Sequence, residues 1–184
     1  LIMASSGCRM NELLSLEPDD VHDDEIPTRI YFRVTKSEQP RTSFITQEAT
    51  QAYQDWIKNS RDEYITRAIR RNTPNKKNGK TLCTKNPDDS RVFPLHDATV
   101  RKIWIKHAKK AGMAKRDIKT GRMLIQPHCL RKFFRSYFGN ADLAEHLMGH
   151  KGYLSTYRKM NDKQLAKEYL KNMNTVTIFE RIPK

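Results

Sequence analysis

Large apolar side chains crowd one short stretch of the chain, PHCLRKFFRSYF at residues 127–138. Pro127 suits the first turn of a helix, because its backbone angle is already helical and its missing N–H would have no partner there. The apolar residues that follow recur at helical spacing: Leu130, Phe133, Phe134, Tyr137 and Phe138. A helix with so wide an apolar surface needs cover on most sides. We therefore expect it at the centre of the domain.

Helical periodicity also dominates the first two thirds of the sequence. Residues 1–16 predict two short helices broken at Gly7, and residues 47–71 predict one long amphipathic helix. A further helix is expected from Asp97, as its cap, to Gly112. The predicted buried stripe of that helix is Val100, Ile103, Trp104, Ala108 and Ala111.

Two more helices are expected after residue 138. ADLAEHLMG predicts a short helix that ends at Gly149. NDKQLAKEYLKNM predicts the last helix, capped by Asn161 or Asp162. Its inward residues would be Leu165, Tyr169, Leu170 and Met173. The TVTIFERIP segment that follows fits either a final strand or a tail that docks on another surface.

One segment departs from the helical pattern. IYFRVTKSEQPRTSFIT predicts two strands, residues 29–35 and 41–46, joined by a turn at SEQP. KRDIKTGRMLIQP predicts a loop that holds a short strand. The expected fold class is therefore mostly α with a small antiparallel β-sheet, an α+β domain.

Composition favours a polyanionic partner. The 184 residues include 35 Lys and Arg against 21 Asp and Glu, a formal net charge of +14. Such a charge is typical of proteins that bind nucleic acid, although a ribosomal or merely soluble basic protein also fits. The length suits one domain, residues 1–184.

The cysteines indicate neither a metal site nor a disulfide framework. Cys8, Cys83 and Cys129 are scattered, and the sequence has no CxxC pair. Reduced thiols in a cytosolic compartment are the simplest interpretation. No apolar run is long enough to span a bilayer, and no signal peptide is recognisable. The opening LIMASSGCRMNELL is typical of the middle of a helical region, so we expect a fragment that lacks its N-terminal part.

Six residues with complementary chemistry stand in order along the chain: Arg9, Lys36, His128, Arg131, His150 and Tyr157. Attack on a DNA phosphodiester adds negative charge to its non-bridging oxygens. Two guanidinium groups match that geometry and stay charged, so Arg9 and Arg131 would stabilise the transition state without a metal. Taken singly, each arginine more often forms a surface ion pair, here with Glu12 or Asp142.

The two histidines and the lysine supply proton-transfer groups. His128 and Arg131 are three residues apart, so one helix face carries a proton-transfer group beside a phosphate clamp. Lys36 lies at the mouth of the predicted hairpin, where a lysine reaches over bound DNA to protonate the 5′ leaving oxygen. A basic turn without a catalytic role is the alternative for Lys36.

These residues and their contexts, GCRMNELLSL, RVTKSEQPRTSF, PHCLRKFF, LMGHKGY and STYRKM, resemble the catalytic domain of the tyrosine recombinases, also called the phage-integrase family. The resemblance covers about residues 1–178 and implies that family's catalytic-domain fold. It implies a site-specific recombinase or integrase that cleaves and rejoins DNA through a covalent 3′-phosphotyrosine, with no metal and no cofactor. The implied partners are a double-stranded DNA site and other protomers in a synaptic tetramer. The family's N-terminal core-binding domain would be missing, so residues 1–184 correspond to the C-terminal catalytic domain.

The resemblance also implies roles for the last two residues. In the family, a His or Trp at the position of His150 donates a hydrogen bond to the scissile phosphate. The nucleophile is Tyr157 or Tyr153, because bacterial members place it where this chain has Lys159. YRKMNDKQLAKEY instead resembles archaeal members, which favours Tyr157 and an archaeal, viral or plasmid source. An enzyme of this kind is expected in the cytoplasm, at the nucleoid or in a host cell.

Other basic and aromatic residues receive weaker interpretations. Arg41 is interpreted as a DNA-backbone contact or a strand charge, His146 as structural or solvent-facing, and Tyr169 as core. The basic faces at 67–80 and 101–122 are expected either to contact DNA or to be solvated. TVTIFERIPK is a candidate for exchange between protomers. The competing functions are a DNA-binding module of the same fold without catalysis and a type IB topoisomerase-like enzyme.

Overall fold

A computed structural model describes residues 1–33, 39–72, 88–150, 157 and 159–179, with only the backbone described for 68–72. In chain order the elements are α1 (Ile2–Ser6), α2 (Met10–Leu14), β1 (Val21–His22), β2 (Thr28–Phe32), β3 (Arg41–Ile45), α3 (Gln47–Asn59), α4 (Arg61–Asn72), α5 (Asp97–Lys110), α6 (His128–Tyr137), α7 (Ala141–Leu147) and α8 (Asp162–Asn172). The predicted fold class, mostly helical with a small antiparallel sheet, is confirmed.

The sheet is antiparallel with strand order β1-β2-β3. Strands β2 and β3 confirm the predicted hairpin, with Thr28 opposite Ile45 and Phe32 opposite Arg41. The residues that join these strands include 34–38, which lie outside the described residues. Strand β1 was not predicted, because two residues are too few to show the alternation of a strand.

Strand β3 separates two apolar clusters. Ile45 packs with β2, α1 and α3 in the first cluster, and its neighbour Phe44 packs with α6, α7 and α8 in the second. Successive side chains of a strand point to opposite faces, so β3 is buried on both sides. The start of this strand, at Arg41, is therefore held firmly in the middle of the domain.

The central position predicted for α6 is confirmed on one face only. Phe134 and Phe138 are buried, with ring centroids 4.9 Å apart. Tyr137 is 60% exposed and stacks on Phe133. The expectation that Tyr137 is inward was wrong, because α7 and α1 cover only one side of this helix.

Helix α8 closes the second cluster. The Tyr169 ring lies 5.5 Å from that of Phe44 and 5.4 Å from that of Phe138, and its hydroxyl donates to the Ser5 carbonyl at 2.8 Å. Tyr169 is thus a core residue, as predicted. Of the two predicted caps, Asn161 accepts the Gln164 N–H. The prediction was wrong for Leu170, which is partly exposed.

Two predictions about the other helices were wrong. Residues 47–71 form two helices that meet at Ser60, and not one long helix. The 88–95 segment docks at this break. Trp56 Nε1 donates to the Val92 carbonyl at 2.8 Å, and Arg61 Nε donates to the Arg91 carbonyl at 2.9 Å. Helix α5 has no side-chain cap at its start, because Asp97 lies inside the helix and binds Arg101.

The predicted buried stripe of α5 is covered only in part. Ala108 is buried and Val100 and Trp104 are half-buried, whereas Ile103 and Ala111 are exposed. The spacing of apolar residues predicted an amphipathic helix correctly. It does not predict how much of the apolar stripe is covered by neighbouring elements.

The described part of the C-terminal segment docks on its own chain. The N–H groups of Ile178 and Phe179 donate to the Glu48 carboxylate at 2.7 and 2.8 Å, and Val176 is buried. Of the two alternatives for TVTIFERIP, a docking tail fits residues 175–179; residues 180–184 lie outside the described part of the chain.

Gly7 ends α1 with a left-handed backbone, at φ 64°, against the side chains of α6 and the segment after α7. A Cβ there would lie 2.5 Å from Phe134 Cδ1 and 2.8 Å from Met148 Cγ. We predict that Gly7→Ala lowers the free energy of unfolding by about 2–5 kcal/mol, from backbone strain and overpacking together.

Urea denaturation measures that loss, and Gly112→Ala is the matched control. Gly112 has a similar φ of 69°, but nothing lies within 4 Å of its would-be Cβ. The control should cost only about 1–2 kcal/mol for the backbone. Equal losses in the two variants would show that packing around Gly7 is not tight.

Candidate active site

The guanidinium of Arg131 is buried between two helix ends. Helix α6 carries this residue one turn after its start, and its side chain is 2% exposed. Nη1 donates to the carbonyl of Gly7, which ends α1, and Nη2 donates to the carbonyl of Met148, at the end of α7, at 2.9 Å. Carbonyls in the last turn of a helix have no helical partner, so the cation satisfies two of them.

His150 extends this arrangement. Its Nε2 lies 2.9 Å from Arg131 Nη2, and its Nδ1 is hydrogen-bonded to a carboxylate oxygen of Glu145 on α7. An arginine only donates hydrogen bonds, so Nε2 accepts and the ring proton is on Nδ1, where it is donated to Glu145. The buried Glu145 therefore fixes both the orientation and the tautomer of His150.

Glu145 also accepts a hydrogen bond from Arg135 Nε. Burial by itself raises the pKa of Glu145, but its hydrogen bonds with Arg135 and His150 outweigh that effect and lower the pKa overall. The carboxylate is therefore ionised at neutral pH and faces the imidazole with a full negative charge.

Arg9 caps the start of α2 and pairs with Glu12. Its backbone N–H donates to Glu12 Oε2 at 2.7 Å, and its Nη1 donates to Oε1 at 2.9 Å. Arg9 follows Gly7 by two residues, and its charge contributes to the lowered pKa of Arg131. The pair with Glu12 that the sequence allowed for Arg9 is therefore present, but Glu12 is buried, so this is not a surface pair, and it lies beside Arg131.

Arg41 connects these two sides of the site. Its Nη2 lies 2.7 Å from Glu12 Oε2, its Nη1 donates to the carbonyl of Leu147, and its guanidinium lies 4.5 Å from the centre of the Phe32 ring. The side chain is 9% exposed. A strand charge is the interpretation that fits; a DNA-backbone contact does not, because the group is turned inward.

His128 is the first residue of α6 and is exposed. Partial burial lowers its pKa, and the positive charges of Arg131, Lys132 and Arg9 lower it further. A pKa below the usual value keeps the imidazole neutral at pH 7, so it is ready to accept a proton.

Tyr157 borders the same region from the opposite side. Its hydroxyl accepts a hydrogen bond from Asn140 Nδ2 at 2.8 Å, while Asn140 Oδ1 caps α7 by accepting the Leu143 N–H. The ring lies 6.2 Å from that of His146. Tyr157, His146, His150 and Arg41 line one open cavity of about 620 Å³.

Of the six predicted residues, five are described. Arg131 and His150 are in direct contact. Arg9 is close enough to lower the pKa of both Arg131 and His128. Tyr157 shares a cavity with His150 but is bonded to Asn140. Lys36 and the alternative nucleophile Tyr153 lie outside the described residues.

The phage integrase family model matches residues 1–164, which is most of the chain and includes every element described above from α1 to α7. The chain belongs to the phage integrase family. No curated protein sequence matches it.

Two solved structures share the fold of this family member. The crystal structure of XerA recombinase has 21% sequence identity and a TM-score of 0.53 over 92% of this chain and 55% of that one. A XerH site-specific recombinase bound to difH substrate, a pre-cleavage complex, has 23% identity and a TM-score of 0.51 over 92% of this chain and 44% of that one. The chain thus spans about half the length of these solved structures, and the predicted recombinase catalytic-domain fold is confirmed.

Sequence reasoning about this family member missed Glu145 and Arg135, and it treated Glu12 only as a surface partner of Arg9. The signal for Glu12 was present in its i,i+3 spacing from Arg9. No such signal exists for Glu145, because its partner His150 lies beyond the end of α7. Among the residues that the structure describes, no cluster of three or more His, Cys, Asp and Glu is placed to hold a metal, and no helix is long and apolar enough to cross a membrane.

The free energy of unfolding at low pH should depend on Glu12. Burial by itself raises the pKa of Glu12, but the Arg41 charge and the hydrogen bonds from Arg9 and Arg41 lower it overall. A lowered folded-state pKa means that the stabilisation is complete above the unfolded value and is lost as pH falls through the folded value. We predict that Glu12→Gln costs about 3 kcal/mol at pH 7 and progressively less as pH falls below the unfolded value of about 4.3.

Urea denaturation at several pH values tests this prediction, with Glu63→Gln as the control. Glu63 pairs with Arg67 on the exposed surface of α4 and should contribute less than about 1 kcal/mol at any pH. A Glu12→Gln curve that runs parallel to the wild-type curve from pH 7 to pH 3 would contradict the assignment.

Proposed function

We propose that this chain is the catalytic domain of a site-specific DNA recombinase or integrase that cleaves and rejoins strands through a 3′-phosphotyrosine. The observation that carries the proposal is the contact between Arg131 and His150 beside Arg9, in a member of the phage integrase family. A buried guanidinium in contact with a solvent-accessible imidazole is suited to a phosphodiester, whose charge grows during attack.

Arg9 and Arg131 would hold the non-bridging oxygens of the scissile phosphate. Three of the five N–H groups of Arg131 are used by Gly7, Met148 and His150, which leaves two without a partner among the described residues. Arg9 keeps a half-exposed side chain that reaches the solvent side of the site. A phosphate would compete with Glu12 for this group.

His150 would donate to the phosphate from Nε2. That nitrogen accepts from Arg131 in the DNA-free chain, so the phosphate has to replace this contact and Nε2 has to carry a proton when it donates. The contact between Nδ1 and Glu145 would keep the ring oriented towards the phosphate.

Tyr157 would be the nucleophile. Its hydroxyl oxygen forms a bond to phosphorus while the bond from phosphorus to the 5′ oxygen breaks. The phenol proton passes to His128, whose lowered pKa suits a base, and the 5′ oxygen takes a proton from Lys36. The reverse sequence, with a 5′ hydroxyl as nucleophile, rejoins the strand. Tyr157 has to leave Asn140 before it attacks.

A covalent-adduct assay tests the proposal. The chain is mixed with a pool of radiolabelled duplexes of randomised sequence, each carrying a nick that lets the cleaved end escape, in EDTA. We expect labelled DNA to remain attached to the protein in denaturing gels, because no metal takes part in the proposed mechanism. An adduct that needs magnesium would overturn the metal-free mechanism.

The nucleophile is assigned by substitution in the same assay. Tyr157→Phe should abolish the adduct, and the exposed Tyr137→Phe is the matched control that should leave it unchanged. An adduct that survives Tyr157→Phe and disappears in Tyr153→Phe would move the assignment to Tyr153. Arg9→Ala, which leaves the buried Arg131 in place, should abolish the adduct and spare DNA binding, whereas an adduct-free wild type that still binds DNA would indicate the non-catalytic module.

The contact between Glu145 and His150 predicts a loss of cleavage rate. Glu145→Leu removes the carboxylate that holds His150 Nδ1, so the ring loses its fixed orientation and adduct formation should slow by about 10- to 100-fold. Single-turnover rates of adduct formation measure this. Arg135→Gln removes the other partner of Glu145 and serves as the control; it should slow the rate much less, and equal losses in the two variants would contradict the role of Glu145.

The wider assembly follows from the same proposal. The biological substrate would be a double-stranded site bound by several protomers, with the C-terminal TVTIFERIPK segment exchanged between them and a synaptic tetramer as the active form. Rejoining of exchanged partners at one defined site distinguishes this recombinase from a type IB topoisomerase. An archaeal, viral or plasmid source, and action in the cytoplasm at the nucleoid, stay predictions.

A further inference from the structure

Residues 115–124, which we call the ribbon, form a short antiparallel hairpin between α5 and α6. Arg116 and Met123 pair across it, and the Leu124 N–H donates to the Lys115 carbonyl at 3.0 Å. The Asp117 carboxylate accepts the N–H and the hydroxyl of Thr120 at 2.7 and 2.8 Å, which closes the tip. The ribbon is therefore a built element with a defined turn.

The tip of the ribbon presents an apolar side chain among positive charges. Ile118 is fully exposed, with no cover from any described residue. The basic side chains of the ribbon are also exposed: Lys115, Arg116, Lys119 and Arg122. Its single acid, Asp117, is used within the turn. A solvent-exposed isoleucine flanked by positively charged side chains indicates a binding partner that is polyanionic and also offers apolar contacts.

The base of the ribbon is fastened next to the candidate active site. Trp104 Nε1 on α5 donates to the Ile125 carbonyl at 3.0 Å, and Gln126 Nε2 donates to the Met123 carbonyl at 3.0 Å. The ribbon ends four residues before His128, the first residue of α6. Its position relative to His128 and Arg131 is therefore set by α5 and α6.

We propose that the ribbon enters the major groove of duplex DNA and reads a thymine methyl group through Ile118. The proposal rests on the proposed function for the choice of duplex DNA. The major groove is about 12 Å wide and about 8.5 Å deep, and it admits a two-stranded ribbon. Lys115 to Ile118 spans about 10 Å of strand, enough to reach the groove floor. The thymine methyl is the apolar group of that floor.

The flanking basic residues would contact phosphates on the two sides of the groove. Such contacts add affinity and salt dependence without sequence information, whereas contacts at the base edges specify sequence. Ile118 would then be a specificity-determining residue, and Lys119 a backbone contact. An acidic protein surface fits the charges but gives no binding difference between thymine and uracil, and that difference is measurable.

The experiment uses the full chain and a pool of randomised duplexes, from which bound sequences are selected. The preferred duplex is then prepared with thymine or with deoxyuracil, which lacks only the methyl group. We expect wild type to bind the uracil duplex about fourfold more weakly, which corresponds to one lost methyl contact. Ile118→Ser should bind both duplexes equally, and Ile26→Ser, a change at another exposed isoleucine, should keep the wild-type difference.

Salt dependence supplies a second measurement. Lys119→Ala should reduce the slope of log affinity against log salt by about one, and the exposed Lys58→Ala on α3 should not change it. A wild type without sequence preference, a thymine–uracil difference that persists in Ile118→Ser, or an unchanged slope in Lys119→Ala would overturn the ribbon proposal.

The adduct assay, run on the same preparations, separates this proposal from the proposed function. An adduct with wild type, combined with no thymine–uracil difference, refutes the ribbon proposal and leaves the recombinase intact. A thymine–uracil difference that Ile118→Ser removes, combined with no adduct, supports the ribbon and refutes the catalytic proposal.

Discussion

The charge of Arg131 between two helix ends is the interaction on which this site depends. Helices α1 and α7 are followed by glycines with left-handed backbones, Gly7 at φ 64° and Gly149 at φ 75°. Both ends present carbonyls without helical partners, and one guanidinium satisfies two of them. Burial lowers the pKa of Arg131 to about 10, helped by the charges of Arg9 and Arg41, and the group stays protonated at neutral pH. A neutral side chain there would leave both carbonyls buried and unpaired.

Charge is balanced around this centre only in part. Arg9, Arg41 and Arg131 place three positive charges in one region, and Glu12 contributes one negative charge. Glu145 is matched by Arg135. Two positive charges are therefore left over among these groups, which is close to what a phosphate in its transition state would neutralise. The fold keeps such a cluster together because each arginine also donates to a backbone carbonyl or a buried carboxylate.

Local signals in the sequence were sufficient for much of this arrangement. Gly7 marked the break between α1 and α2, and the three-residue spacing of His128 and Arg131 placed both on one side of α6. The break at Ser60 was not predictable in the same way, since it depends on the 88–95 segment that docks on Trp56 and Arg61. The inward turn of Arg41 likewise depends on partners 29 and 106 residues away. Contacts at such separations leave no periodic trace in a single sequence.

The amide of Asn140 joins the start of α7 to Tyr157 through its two ends, and this has an energetic consequence. The oxygen end caps the helix, so the cap survives when the tyrosine departs. The hydrogen bond that is lost is worth about 1 kcal/mol net in water. By itself it biases the tyrosine towards its docked position by about fivefold, because 1.4 kcal/mol corresponds to tenfold. The contact with the His146 ring and the packing against the second apolar cluster add to this bias, so departure of the tyrosine costs packing but leaves the cap of α7 intact.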